Sequence, residues 1–275
     1  MKQTQISLLG DRPDNQDRCA IIGDQNSYLM IMADGLGGHP RGDVAAQSLL
    51  DTCKKYFSRC PKPIVSPRLF FHQCAIRTHE RIRQFMQEQK LDDSPRTTAM
   101  MVLVQERQCY WSYTGDSRFY LFRQGRLLHR SVDHTLETQD TTLCGTTRGR
   151  TLTQCLGGIS SQPIATSHAP IPLQADDILL LCSDGFWAQL PEARILLTLN
   201  QVDSLAEAIE SLGQQARNNF AGYSDNISAV ALKLEKDDFP DAQSQEDNWA
   251  TAEESQDLLS ALDQLDDLIQ SKLHI

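Results

Sequence analysis

The chain has 275 residues, 40% hydrophobic and 23% charged, enough apolar material for a sizeable core and outside the collagen-like, disordered and membrane classes. Its 26 basic and 36 acidic side chains give a formal net charge of −10, which disfavours a broad basic face for nucleic acid. The charge is uneven: residues 236–275 carry 11 acidic and two basic side chains, net −9, which leaves residues 1–235 at −1.

The opening stretch MKQTQISLLGDRPDNQD lacks the apolar segment of a secretory signal, and no apolar run approaches a membrane span; a cytoplasmic protein without a membrane partner is expected. Gln5–Leu9, Cys19–Ile22 and Tyr28–Ala33 read as strands separated by Gly, Asp and Asn turns. Gly42 and Asp43 open a helix with Ala45, Leu49, Cys53 and Tyr56 on one face. Ser66-Pro67 is an N-cap with proline at the first helical position, and Phe71, Ala75, Thr78, Ile82 and Phe85 continue that second helix towards Lys90. Thr97–Gln105, Gln108–Tyr113 and Ser117–Arg123 are strand-like, and residues 133–150, rich in Thr, Gly and Arg, read as a loop. Ile178–Cys182 is a strand covered on both faces, Pro191–Leu199 and Ser204–Ala216 are helices, and Ile227–Leu234 is a final strand.

This order predicts an α+β fold with helices segregated onto a largely antiparallel β core, not a doubly wound sheet. The eight cysteines show no CxxC pair and no zinc spacing; Cys53 and Cys182 lie in apolar periodic runs, so buried thiols are expected rather than a disulfide framework. Residues 236–254 have linker composition, and residues 255–275 form an acidic amphipathic helix with Leu258, Leu262, Leu265 and Ile269 on one seam.

Aspartates recur where the chain leaves or enters strands: Asp17, Asp34-Gly35, Asp116, Asp184-Gly185 and Asp225-Asn226. One such aspartate is ordinarily a turn residue, but five on one β core are harder to dismiss. Brought together, their carboxylates repel and raise one another's pKa unless cations sit between them, and hard oxygen donors of this kind suit Mg²⁺ or Mn²⁺. The chemistry implied is metal-assisted hydrolysis. Gly35, Gly37 and Gly38 do not make a nucleotide loop, because position 40 is proline and no GxxxxGK[ST] occurs anywhere.

The segments GDRPDNQDR, IMADGLGGH, RTTAMMVLV, YTGDSRFYLFRQGRL, SVDHT, LTQCLGG, LLLCSDGFW and SDNISAVAL, running from about residue 3 to 234, resemble in order the motifs of bacterial PP2C-type (PPM) metal-dependent serine/threonine phosphatases. The resemblance implies an αββα sandwich over residues 1–235, with Mn²⁺ or Mg²⁺ as cofactor, two ions and a third at a weaker site. It implies that Asp34 bridges two metals while the Gly35 carbonyl faces the second, that Asp184 and Asp225 complete the first, and that Asp17 acts through water. Asp116, with Asp184, matches the third-metal site, Arg12 the residue that grips the substrate phosphate, and Asn226 the partner that orients Asp225. A metal-bridged water would attack phosphoserine or phosphothreonine directly.

The chain departs from the family in places. Gln16 stands where many relatives carry Glu, Arg96 opens a segment that often reads GTTA, and the flap between His134 and Thr153 is shortened. Leu36 replaces the histidine of animal relatives, so His39 is the candidate general acid, with metal-bound water as its alternative. Arg148 and Arg150, in the flap, are solvated or face an acidic or phosphorylated substrate; Trp187, Cys155 and Cys182 read as packing. Expected partners are phosphoproteins of an opposing Ser/Thr kinase and a protein that docks on the C-terminal helix. The rival readings are a catalytically weak phosphoprotein-binding scaffold and a partner-switching regulator acting through the acidic tail.

Overall fold

The computed structural model describes residues 1–238 other than 25–26, 143–144, 159–165 and 203. The linker over residues 236–254, beyond its first three residues, and the helix over 255–275 lie outside the described residues.

The chain begins with β1 (Lys2–Leu8), β2 (Arg18–Asp24) and β3 (Ser27–Ala33), then α1 (Gly42–Arg59) and α2 (Pro67–Gln89). Proline is tolerated at the start of α2 because the first helical N–H has no intrahelical partner, and Ser66 Oγ accepts from the Leu69 N–H, as expected of an N-cap. Next come β4 (Arg96–Thr97), β5 (Ala99–Gln105), β6 (Gln108–Thr114), β7 (Arg118–Arg123) and β8 (Arg126–Arg130). They are followed by β9 (Thr135–Thr142), β10 (Gly145–Leu152), β11 (Leu156–Gly157), β12 (Thr166–Ser167), β13 (Ile171–Pro172) and β14 (Ile178–Cys182). The body ends with α3 (Asp184–Trp187), α4 (Glu192–Gln201), α5 (Leu205–Asn219), β15 (Ile227–Lys233) and a 3₁₀ turn at Lys236–Asp238.

Two large antiparallel sheets result, beside the two-stranded pairs β9-β10 and β4-β11. One has the order β1-β15-β14-β7-β8; the other runs β12-β6-β5-β3-β2, with β13 also paired to β6. Strand alternation distributes the apolar side chains among three clusters. Leu29, Ile31, Met101 and Leu103 pack outward against α1 and α2 residues such as Leu49, Cys53, Phe71 and Ile82. Met30, Met32, Met100 and Val102 point the other way and meet Leu179, Leu181, Val230 and Leu232 between the sheets. Leu180, Cys182, Ala229 and Ala231 face the helices of the far side, with Ile195, Ile209 and Leu212. Each fully buried aliphatic side chain contributes roughly 1.5–3 kcal/mol relative to exposure, so both faces of the central strands must stay apolar. The layers are therefore helices, sheet, sheet, helices: the expected α+β, αββα sandwich.

One expectation is corrected. Residues 133–150 are not a loop, since β9 and β10 form an antiparallel hairpin in register from Leu152↔Thr135 to Gly145↔Thr142. Leu136, the one large apolar residue of β9, is 63% exposed, and the TLETQDTT and GTTRGRTL segments lack the hydrophobic alternation by which a strand is recognised. Among the described residues no helix is long and apolar enough to cross a membrane. The described cysteines are free thiols, with Cys53 and Cys182 fully buried.

Candidate functional site

Register brings the aspartates to one end of the sandwich. Arg18 pairs with Ala33, Met32 with Met100, Ala99 with Thr114, and Cys182 with Ala229, so the ends of β3, β6 and β14 lie where β2, β5 and β15 begin. Asp17, Asp34, Asp116, Asp184 and Asp225 all occupy the connections at that end.

Asp34 is fixed through its backbone: its N–H donates to Thr98 Oγ1 at 3.0 Å, and its carbonyl accepts from the Thr98 N–H at 2.8 Å and Thr97 Oγ1 at 3.0 Å. Gly35 bridges Thr97, and a Cβ there would lie 2.6 Å from the Gly42 backbone, so only glycine lets β3 pass this close to the start of α1. Asp184 opens α3 directly after the Ser183 cap, while Ser183 Oγ donates to the buried Asp17 carboxylate at 2.8 Å. Asp116, 8% exposed, has its carbonyl held by Trp187 Nε1–H at 3.0 Å.

The cleft at this end is lined by Arg12, Gln16, Asp34, Gly35, Asp184, Asp225 and Asn226, with Leu152 of the hairpin on its edge. Asp17 and Asp116 flank it without lining it. His39 is not among the lining residues either; its Nδ1 is 2.7 Å from the Asp93 carboxylate. A larger groove, between the start of α2 and residues 168–170, is reached by none of the five aspartates.

The carboxyls are mutually destabilised. Burial, then the charges of Asp17, Asp184, Asp116 and Asp225, carry Asp34 well above the ordinary carboxylate range. Burial likewise pushes Asp17 up to about 7, against hydrogen bonds from Ser183 and Ser228, and Asp116 up to about 7, with Asp184 adding to the effect. Asp184 is raised by burial and by Asp225, while a hydrogen bond shared with Asp34 works the other way.

Among the described residues Arg12 is the one cationic side chain lining the cleft, and its Nη2 donates to Asp225 Oδ2 at 2.7 Å. Because Asp225 is turned onto Arg12 and Asp17 onto Ser183, no group of three His, Cys, Asp or Glu side chains among the described residues stands ready around one point. The donor set nevertheless fits a hard divalent cation. Closely spaced carboxylates held at raised pKa call for positive charge, and Gln16 Oε1, also in the cleft wall, is a buried acceptor without a hydrogen-bond partner.

Sequence reasoning missed part of the scaffold. Asn226 does more than neighbour Asp225: its Oδ1 accepts from the Gln16 N–H at 2.9 Å, and its Nδ2 donates to the carbonyls of Leu9 at 2.8 Å and Asp14 at 3.0 Å. It thereby staples the loop bearing Arg12 to the start of β15, a role that a DN pair hints at but does not specify. Trp187 packs as expected, 7% exposed, yet it also carries the Arg118 guanidinium 3.4 Å from its ring centre and that of Arg150 at 4.8 Å. Asp133 accepts from both arginines, which outweigh the effect of burial and hold it below the usual carboxylate range.

Comparison with known proteins adds to this geometry. The family described as protein phosphatase 2C matches residues 10–223. A serine/threonine phosphatase of Listeria monocytogenes is 26% identical over 233 residues, covering 81% of this chain and 91% of the relative. The Streptococcus agalactiae serine/threonine phosphatase superposes with a TM-score of 0.72 at 21% identity, covering 85% of this chain and 99% of that one. The catalytic domain of the phosphatase PstP, solved with two manganese ions, superposes with a TM-score of 0.63 at 23% identity, covering 84% and 96%.

Proposed function

We propose direct, metal-assisted hydrolysis of phosphoserine and phosphothreonine at this cleft, the chain belonging to the protein phosphatase 2C family and so being a metal-dependent protein serine/threonine phosphatase. The observation that carries the assignment of the site is the convergence of Asp34, Asp184 and Asp225 with Arg12 in one cleft.

In this reading Asp34, Asp184 and Asp225, with the Gly35 carbonyl, would hold the two principal ions, Asp17 would act through water, and Asp116 with Asp184 would make the weaker third site. Bound Mn²⁺ or Mg²⁺ supplies Lewis-acid chemistry, lowering the pKa of water and offsetting charge on a phosphoryl group. The two manganese ions of the PstP structure support this choice. Arg12, 50% exposed, presents a planar fork already directed at an anion, and the two oxygens of a phosphoryl group match that fork better than one carboxylate oxygen does. Asn226 keeps that arginine's loop in place. His39 is the candidate general acid: with Nδ1 held by Asp93, Nε2 is the nitrogen left for a leaving oxygen.

The substrates are phosphoproteins, and those of an opposing Ser/Thr kinase in the cytoplasm are the ones we favour. For residues 255–275, which lie outside the described residues, the apolar seam of Leu258, Leu262, Leu265 and Ile269 in the sequence supports docking on a protein partner. A chain ending at residue 236 is expected to keep p-nitrophenyl phosphatase activity; an inactive or insoluble product would mean that the tail completes the fold.

The decisive experiment is turnover of p-nitrophenyl phosphate and a phosphothreonine peptide with Mn²⁺, with Mg²⁺ and with EDTA. Either metal is expected to support turnover of both, and EDTA to abolish it. Asp34→Asn and Asp184→Asn should each lower kcat on the order of a hundredfold or more. Chelator-insensitive turnover, or activity surviving both substitutions, would overturn the reading.

A further inference from the structure

Where α5 ends, the chain brings two large rings to the surface beside the cleft. Phe220 is 48% exposed and Tyr223 81%, with ring centroids 6.1 Å apart and planes tilted by 59°. Single exposed apolar side chains are ordinary, but a paired set on a braced loop is not.

The bracing is extensive. Asp11 Oδ2 accepts from the N–H of Gly222 at 2.8 Å, the N–H of Ser224 at 2.9 Å and Ser224 Oγ at 2.8 Å, while the Asp11 N–H donates to the Ser224 carbonyl at 3.0 Å. The hydrogen bonds from Ser224 foremost hold the Asp11 carboxyl below its ordinary range. Gly10, at φ +65°, sits so close that a Cβ would come 2.1 Å from the Asp225 carbonyl oxygen. The Tyr223 N–H donates to the Phe220 carbonyl at 3.0 Å. Residues 10–12 and 220–225 thus form one unit: Arg12 and Asp225 line the cleft, and the exposed Tyr223 is two residues from Asp225.

We propose that Phe220 and Tyr223 form a ledge that receives an apolar side chain flanking the phosphorylated residue of the substrate polypeptide. The proposal rests on the phosphatase reading and deepens it. A polypeptide whose phosphate lies at Arg12 must continue across the rim of the cleft, whereas a small aryl phosphate ends there. Within this unit Asp11 is engaged by Gly222 and Ser224, and Asp225, which faces Arg12 here, would be taken up by the metal in the loaded enzyme, so neither carboxylate is left for a basic side chain. What it offers is apolar area on a loop already ordered, so little conformational entropy is lost on contact.

The test uses the full chain, its Tyr223→Ala, Phe220→Ala/Tyr223→Ala and Tyr223→Phe variants, and Mn²⁺. The substrates are p-nitrophenyl phosphate and phosphothreonine peptides with Leu, Gly or Arg at the two positions on either side of the phosphothreonine. The unsubstituted chain should favour the Leu peptide over the Gly peptide about tenfold in kcat/KM, the scale for one apolar side chain placed on a surface. Alanine at Tyr223 should erase that preference while the ratio of Gly peptide to p-nitrophenyl phosphate holds steady, and Tyr223→Phe should keep the preference. No Leu preference, a preference for Arg, or an equal loss on every substrate in Tyr223→Ala would overturn the ledge. A chain that turns over neither substrate class with Mn²⁺ would refute the phosphatase reading, and the ledge with it.

Discussion

Asp34 and Asp225 are both strand-end aspartates, yet their neighbours set them different tasks. Asp34 is pushed towards its neutral form by burial and four other acids, while Asp225 gives one oxygen to Arg12 and the other to the N–H of Asn226. In the proposed reading both carboxylates would hold the metal, and Arg12, paired with Asp225 in this structure, would then be left to a phosphate. His39 belongs to the same scale. Asp93 accepts from Arg96 at 3.1 Å as well as facing His39, so the arginine that departs from the family pattern helps to set the carboxylate that positions the ring. Replacing His39 with alanine should slow alkyl phosphates on the order of a hundredfold and p-nitrophenyl phosphate by less than about tenfold, since only the poorer leaving group needs a proton. Parallel losses on both esters would remove His39 from the acid role. Among single residues, the aspartates were legible because a carboxylate at a strand end, beside glycine at Asp34, Asp116 and Asp184, is a local pattern. Ser183, and the contacts by which Asn226 staples the Arg12 loop, were not, because the partners Asp17 and Gln16 lie 166 and 210 positions away in the chain.

At the scale of elements, the central strands could be found as apolar runs because both of their faces meet another layer. The hairpin of β9 and β10 could not, its segments lacking an apolar run and Leu136 lying in water. What holds its base is polar: Arg150 bonds Asp133 and Thr135, and it lies over Trp187, whose indole N–H is tied to the carbonyl of Asp116. The hairpin is therefore joined mechanically to the turn that bears a site aspartate. Arg150→Glu sets two carboxylates against each other at a residue 12% exposed, so phosphopeptide kcat/KM should fall roughly tenfold while Tm drops by only about 2–4 °C, the shift that ~1 kcal/mol produces in a domain of this size. Unchanged peptide turnover would mean that the hairpin base is a solvated salt bridge and nothing more.

For the molecule as a whole, four layers secure a rigid body whose one acidic end is intrinsically strained, and this predicts how stability responds to pH and metal. Asp17 and Asp116 have folded-state pKa values raised to about 7 from an ordinary 3.8, so the folded chain binds protons that the unfolded chain has already released. Their contribution to stability is present below the ordinary value and is lost as pH rises towards 7. A divalent ion requires the ionised forms, so the gain in Tm on adding Mn²⁺ over EDTA should widen steadily from pH 5 to pH 8. The neutral-held His129 and His134 affect both arms alike and cancel in the difference. A gain independent of pH would show that these carboxyls do not meet the metal. Sequence order was enough to predict α+β layering, whereas the common end of the five aspartates follows from antiparallel register, which no single segment encodes. The pairing of β1 with β15 has a consequence for biosynthesis. Leu8 meets Ile227, more than 200 residues later, and the loops that follow the one and precede the other carry Arg12 and Asp225. On a ribosome the early half of the cleft must wait for the late half, so in the proposed reading phosphatase competence would arise only as translation of the body finishes.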